Sequence, residues 1–293
     1  MAERIGSQLP TQSVVLSFSE SKAQEAIDLY ETCGRKAQDW QKLLLTDIMA
    51  QNADGLWTHQ KFGYEVPRQN GKGEVLVMRE WWGLVNGENI CHTAHKTSTS
   101  HSAFVRLKKA LDDAGYTELG RKKKDAVIPD RSYKSTKQYG LEQIFLTEGG
   151  TIVFRTRTEA GGIGESFDLL VIDEAQDFGM MAYCCLHYCL RDCTYTIMGD
   201  TSQNIHFGYG LNDWEELRKL VLTGTFDAFG LLKKSYRNTV EISNFATNIL
   251  RHGDFPIYPV EPIVRHGDEV KLEQCKDCND MYARSVAQIK QWQ

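Results

Sequence analysis

The stretch Phe62–Trp82, FGYEVPRQNGKGEVLVMREWW, decides the fold. It sets Gly71-Lys72 directly after a short β-rich run and directly before a helical one. At such a junction backbone N–H groups and a helix N-terminus point at one spot and hold phosphate oxygens, while a lysine neutralises the β and γ charges. Lys72 is that lysine, and Pro67, Arg68, Gln69, Asn70, Gly71, Gly73 and Glu74 form the segment around it. The pattern departs from G-x-x-x-x-G-K-[ST] at two places. Val66 stands at the first glycine, and Gly73 replaces the hydroxyl residue that binds Mg²⁺. Taken alone, the segment also reads as an ordinary turn after a strand.

About a hundred positions downstream, LLVIDEAQD (Leu169–Asp177) runs four apolar strand residues into paired acids, a Walker B pattern. Asp173 at the strand end can hold the Mg²⁺ water shell, and Glu174 can orient or deprotonate an attacking water. Two carboxylates and one lysine at strand ends predict an ATPase that uses ATP and Mg²⁺.

Outward from these segments, short apolar runs recur at 89–94, 143–147, 151–155 and 194–199. Most do not alternate, as expected of strands buried on both faces. The runs at 143–147 and 151–155, joined by Glu148, Gly149 and Gly150, predict a hairpin. Helical stretches fall at Glu20–Thr32, from Trp40, and at 102–115. The fold class predicted is α/β, a RecA-like P-loop NTPase parallel sheet with crossover helices and part of a second, smaller α/β unit. The ATPase domain is expected over 1–205 and the second segment over 206–293, with FGLLK at 229–233 as one of its strands. A last helix over Asp280–Gln293, with no finishing element after it, reads as a truncated end.

At 293 residues, 41% apolar and 25% charged, the chain has the composition of a globular protein. No apolar run approaches the roughly 18 residues that span a bilayer, and the start lacks the apolar core of a signal peptide, so no membrane partner is expected. Eight cysteines, six of them bunched at Cys184, Cys185, Cys189, Cys193 and at Cys275, Cys278, predict reduced thiols and a cytoplasmic setting. The four-residue spacing of Cys185, Cys189 and Cys193 favours packing of one helix face over a zinc site, because one helix does not supply tetrahedral ligands alone. The net charge of −5 is uneven. Residues 105–137 carry ten basic against five acidic residues, a local +5 that leaves −10 elsewhere and room for a phosphate-binding face. His92 and His95 flank a strand end and are read as structural, and Trp81 and Trp82 as core.

The halves resemble two families. WQKLLL (40–45), DGLW (54–57), PRQNGKGE (67–74), ENICHTAHKTSTSHSAFVRL (88–107) and LLVIDEA (169–175) make residues 37–174 similar to the ATPase domain of tailed-phage terminase large subunits, motors that package DNA into capsids. That resemblance implies double-stranded DNA, portal and small terminase subunit as partners and a bacterial host cytoplasm as location. It places Gln41 in an adenine-recognition segment and Arg68 as a sensor of the γ-phosphate. The glycine-rich AGGIGESFD (160–168) lacks the arginine such terminases carry. DEAQD (173–177), MGDTSQNIHFGYG (198–210) and LKKSYRNTVEISNFATNIL (232–250) make residues 167–290 similar to UvrD-like superfamily 1 helicases, which act on single-stranded DNA. There Gln203 touches the γ-phosphate, and Arg237 reaches ATP across a cleft as a fork donor. The junction falls in the shared DEA segment. Strand cleavage and processive unwinding are not expected of this chain. The glycine at position 73 keeps open a nucleotide-binding fragment or chimera without catalysis.

Overall fold

The computed structural model describes residues 9–10, 12–66, 70–120, 129–156, 166–190, 192–201, 209–211, 213–231, 234–235, 239–252, 261–262 and 265–292. Strands β1 (Gln12–Val14) and β2 (Glu20–Ser21) precede helices α1 (Ala23–Glu31) and α2 (Asp39–Ile48). Next come β3 (Ala50–Gln51), β4 (Lys61–Glu65), α3 (Lys72–Val85), β5 (Asn89–Ala94) and α4 (Thr97–Asp113). The middle of the chain forms β6 (Thr117–Glu118), β7 (Ser132–Thr136), β8 (Gln143–Leu146), β9 (Thr151–Thr156) and β10 (Leu169–Asp173). A single 3-10 turn at Ala175–Asp177 leads to α5 (Met180–Cys189), β11 (Thr194–Gly199), α6 (Trp214–Leu220) and β12 (Asp227–Leu231). The last elements are β13 (Lys234–Ser235), α7 (Val240–Leu250), β14 (Glu261–Pro262) and α8 (Cys278–Trp292).

Ten strands form one sheet in the order β1-β12-β4-β11-β10-β5-β9-β8-β7-β6. The six from β12 to β9 are parallel to one another, as a chain of strands and crossover helices requires, and β1 pairs antiparallel with β12 at the edge. β8 returns antiparallel to β9, which is the hairpin expected from Glu148-Gly149-Gly150. The fold is therefore a mostly parallel α/β sheet.

Both faces of that sheet are covered. Along β10, Leu169 and Val171 pack with Leu76, Trp81, Phe104 and Leu107 from α3 and α4. Leu170 and Ile172, pointing the other way, pack with Tyr183, Trp214 and Leu217 from α5 and α6. This is why β10 reads as an apolar run up to Asp173: all five of its residues are buried, as are all five of β4, which carries Lys61 and Glu65 at its ends.

The boundary expected near residue 205 falls within 202–208, outside the described residues. Beyond it, α6 contributes Trp214 and Leu217 to the core, and β12 pairs in parallel with β4 as a strand of the main sheet. That strand spans Asp227–Leu231, two residues before the expected run.

Candidate nucleotide site

The site lies at the C-terminal ends of the parallel strands, where α/β sheets place ligands. β11 sits between β4 and β10, so the ends of the lysine-bearing and carboxylate-bearing segments stand about 10 Å apart across two strand spacings. Lys72, the first residue of α3, closes that gap. Its Nζ lies 2.8 Å from Glu174 Oε1 and 3.6 Å from Asp173 Oδ1. The pairing of Lys72, Asp173 and Glu174 inferred from two distant motifs is thus a contact in space.

Glu174 has φ +52° and ψ +50°, the single left-handed non-glycine conformation among the described residues. Such a residue stores on the order of 1–3 kcal/mol of strain and survives only where its surroundings hold it. Here the Glu174 N–H donates to Asp173 Oδ1 at 2.8 Å, and Gln176 Nε2 donates to Glu174 Oε2 at 2.9 Å. The other end of the Gln176 amide, Oε1, accepts the Asp200 N–H at 3.0 Å. Gln176 is 1% exposed and therefore ties the Glu174 carboxylate to the chain leaving β11. Its role was not drawn from the sequence, although it lies in DEAQD.

The loop side is equally local in origin. Gly71 adopts φ +78° as α3 begins, a conformation glycine takes without a Cβ penalty. Gln41 Nε2 donates to the Gly71 carbonyl at 3.0 Å, while its Oε1 accepts the Gln38 N–H at 2.8 Å. Gln41, expected at the adenine, thus has both ends of its amide engaged between the start of α2 and the loop. Glu74 accepts Tyr30 Oη at 2.7 Å and Arg35 Nη1 at 2.9 Å, which turns it toward α1. Burial, followed by Glu74, pushes the Tyr30 hydroxyl well above its ordinary range.

Lys72, Gly73, Asp173 and Glu174 line a cleft of about 290 Å³ whose other wall is α4, through Ser98, Thr99, Ser102 and Arg106. None of these four was singled out from the sequence, yet Ser98, Ser102 and Arg106 follow a four-residue spacing that puts them on one helix face. Pro67, Arg68, Gln69, Gln203 and Arg237 lie outside the described residues. Asn70 stands at the entry to α3.

Beneath the cleft, His92 of β5 meets Glu80 of α3, with Nδ1 2.5 Å from Oε1 and each side chain 1% exposed. Burial opposes the imidazolium charge, but the Glu80 carboxylate outweighs it and raises the His92 pKa above the ordinary value. His92 is structural, as expected, and His95 packs edge-on to Phe178. Trp81 and Trp82 are core residues in the second half of α3. The cysteine expectation holds for Cys193, which is buried, but Cys185 and Cys189 are exposed on α5 and do not pack in the core. Much of the basic stretch is paired internally. Lys108 and Lys109 pair with Asp112 and Asp113, and Lys137 pairs with Glu118, so three of its six described cations are neutralised within the segment, while Arg106 lines the cleft. Residues 121–128 lie outside the described residues.

Among the described residues no group of three or more His, Cys, Asp or Glu side chains is arranged to hold a metal. Mg²⁺ does not need one, since it takes one or two carboxylates and completes its shell with phosphate and water oxygens. Asp173 and Glu174 on the cleft fit that donor set, for Mg²⁺ bound together with a nucleotide. No described helix is long and apolar enough to cross a membrane.

The chain folds as a mostly parallel α/β sheet with this cleft at its strand ends. Its structure is similar to that of the HK97 bacteriophage large terminase, with a TM-score of 0.54 at 13% identity over 81% of this chain and 50% of that one. The chain thus spans about half the length of the HK97 protein. The Thermus phage P74-26 large terminase ATPase domain aligns with TM-score 0.39 at 16% identity, over 58% of this chain and 67% of that one. A large terminase from another thermophilic bacteriophage aligns with TM-score 0.35 at 13% identity, over 62% of this chain and 39% of that one. No family model and no curated protein matches the sequence.

Proposed function

We propose that this chain is the ATP-hydrolysing part of a DNA motor of the phage large terminase type. The observation that carries the reading is the contact of Lys72 with Glu174 and Asp173 at the strand ends of a sheet shared with a large terminase. Lys72 and the N-terminal turn of α3 bind the β and γ phosphates. Asp173 holds Mg²⁺, which when bound neutralises charge on the phosphoryl oxygens. Glu174, released from Lys72 as phosphate takes the ammonium, orients a water and accepts its proton. Gln176 keeps the carboxylate pointed at the cleft. Gln41 positions the loop beside the nucleotide.

DNA, portal and small terminase subunit belong to this reading as partners, and a bacterial cytoplasm as its setting. A helicase reading rests on Gln203 and Arg237, whose approach across a cleft would complete the site. It finds one observation in its favour, the Gln176 bridge between the DEAQD segment and Asp200. The test is ATP turnover by the wild-type chain and by Glu174→Gln, with double-stranded and single-stranded DNA. The proposal expects Glu174→Gln to bind ATP and to lose turnover on the order of a hundredfold or more, with stimulation by double-stranded DNA. Stimulation by single-stranded DNA alone favours the helicase reading, and unchanged turnover in Glu174→Gln refutes both.

A further inference from the structure

Gly73 occupies the place where a phosphate-loop hydroxyl normally binds metal, and the structure shows what fills that volume. A Cβ built on Gly73 would stand 1.9 Å from Arg106 Nη1 and 2.8 Å from its Cζ. A side chain at position 73 would require the Arg106 guanidinium, the far end of a flexible side chain, to move from its observed place. Arg106 arrives from α4, on the same face as Ser98 and Ser102, and lines the cleft with Lys72, Asp173 and Glu174.

The charges indicate what the guanidinium is for. Lys72 faces two carboxylates, at 2.8 and 3.6 Å. Arg106 has its Nε 3.6 Å from Glu74 Oε1, whereas the other oxygen of that carboxylate takes Tyr30 and Arg35 at shorter range. The Nη1 end, over Gly73, points at the turn where phosphate oxygens bind. A hydroxyl there would be a neutral metal ligand. A guanidinium repels a divalent cation and offers a fork of N–H donors to an oxyanion.

Resting on the nucleotide-site reading above, we infer that Arg106 is a second phosphate-binding cation of this site, taking β- or γ-phosphoryl oxygens directly in place of the metal-ligating hydroxyl. Triphosphate affinity then depends on Arg106 with or without divalent metal. Glycine at position 73 leaves the guanidinium its observed place over the start of α3, and a larger residue would shift it.

The experiment is equilibrium binding of the non-hydrolysable β,γ-imido analogue of ATP to the full chain, by calorimetry, in Mg²⁺ and in EDTA. It compares wild type with Arg106→Gln, Arg106→Lys, Gly73→Ser and Lys72→Ala, each checked for folding by its thermal melt. Arg106→Gln should weaken binding about tenfold to a hundredfold in both buffers, the range of one charge-assisted hydrogen bond, and Arg106→Lys should recover part of it. Gly73→Ser, which shifts the Arg106 guanidinium from its observed place, should not tighten Mg²⁺-dependent binding although it restores the hydroxyl. Tighter Mg²⁺-dependent binding by Gly73→Ser, or an Arg106→Gln loss seen only with Mg²⁺, overturns the inference. If Lys72→Ala loses binding and Arg106→Gln stays within twofold of wild type, the inference fails and the site reading stands. If wild type does not bind, or Lys72→Ala binds equally well, both fail.

Discussion

Glu80 and His92 carry a thermodynamic test of how the sheet supports the site. The two side chains face each other at 2.5 Å with 1% exposure each, His92 on β5 and Glu80 on α3. Burial disfavours the charged imidazole, and the Glu80 carboxylate more than compensates, so the folded His92 pKa is raised. A raised folded pKa means that the pair's contribution is fully present below the unfolded histidine value of about 6.5. It is lost as pH rises through the folded value. Glu80→Ala leaves His92 without its partner and should cost about 3–5 kcal/mol. Glu80→Gln keeps an acceptor for Nδ1–H and removes the charge, for about 1–3 kcal/mol. The assay is urea unfolding of wild type and Glu80→Gln at pH 6 and pH 9. The stability difference between them should be larger at pH 6, where wild type holds a charged pair. A difference that is equal at both pH values, or larger at pH 9, refutes the charged pair and the reasoning behind it.

Three further outcomes follow from the packing. Asp47 is pushed up to about 6 by burial, beside Trp40, Leu44 and Phe62, so its ionisation costs stability that accrues above the unfolded value of about 3.9 and is complete above about 6. Asp47→Asn should therefore gain about 1–2 kcal/mol at pH 8, discounted for partial exposure, and nothing near pH 3.5, measured by denaturant midpoints. Arg79 makes a double hydrogen bond to Glu88, at 2.7 and 3.0 Å, and lies over the rings of Trp57 and Trp82. Arg79→Ala should cost about 3 kcal/mol and Arg79→Lys should recover less than half, because lysine lacks the planar fork. Gln176→Ala should lower kcat on the order of tenfold with little change in ATP affinity, since it orients Glu174 and does not face the phosphates. A shift in KM alone would remove Gln176 from that positioning role.

The elements nearest the site were the most legible. Strands 89–94 and 169–173 coincide with β5 and β10, and the Lys72, Asp173 and Glu174 set is brought together as the spacing implied. Local sequence carries these features, because an apolar run buried on both faces and a glycine-lysine junction each have a local cause. Strand order does not have one. The placement of β11 between β4 and β10 depends on its pairing with β4 across more than a hundred residues, for which no single segment holds a signal. Position 73 was read as a missing hydroxyl. The reason for it sits on α4, where Arg106 looked like one more cation in a basic stretch. The same averaging hid the internal pairing of Lys108, Lys109 and Lys137. Cysteine spacing on α5 misled differently. A four-residue repeat marks a face but not which face is inward, and Cys185 and Cys189 lie on the outer one.

The central claim is that Lys72, Asp173 and Glu174 form a working phosphate site, and phosphate release from Mg²⁺-ATP by the purified chain beside its Lys72→Ala variant tests it most directly. The account predicts turnover in the wild type that falls to background in Lys72→Ala while both variants melt as folded proteins. Equal phosphate release by the two would contradict it.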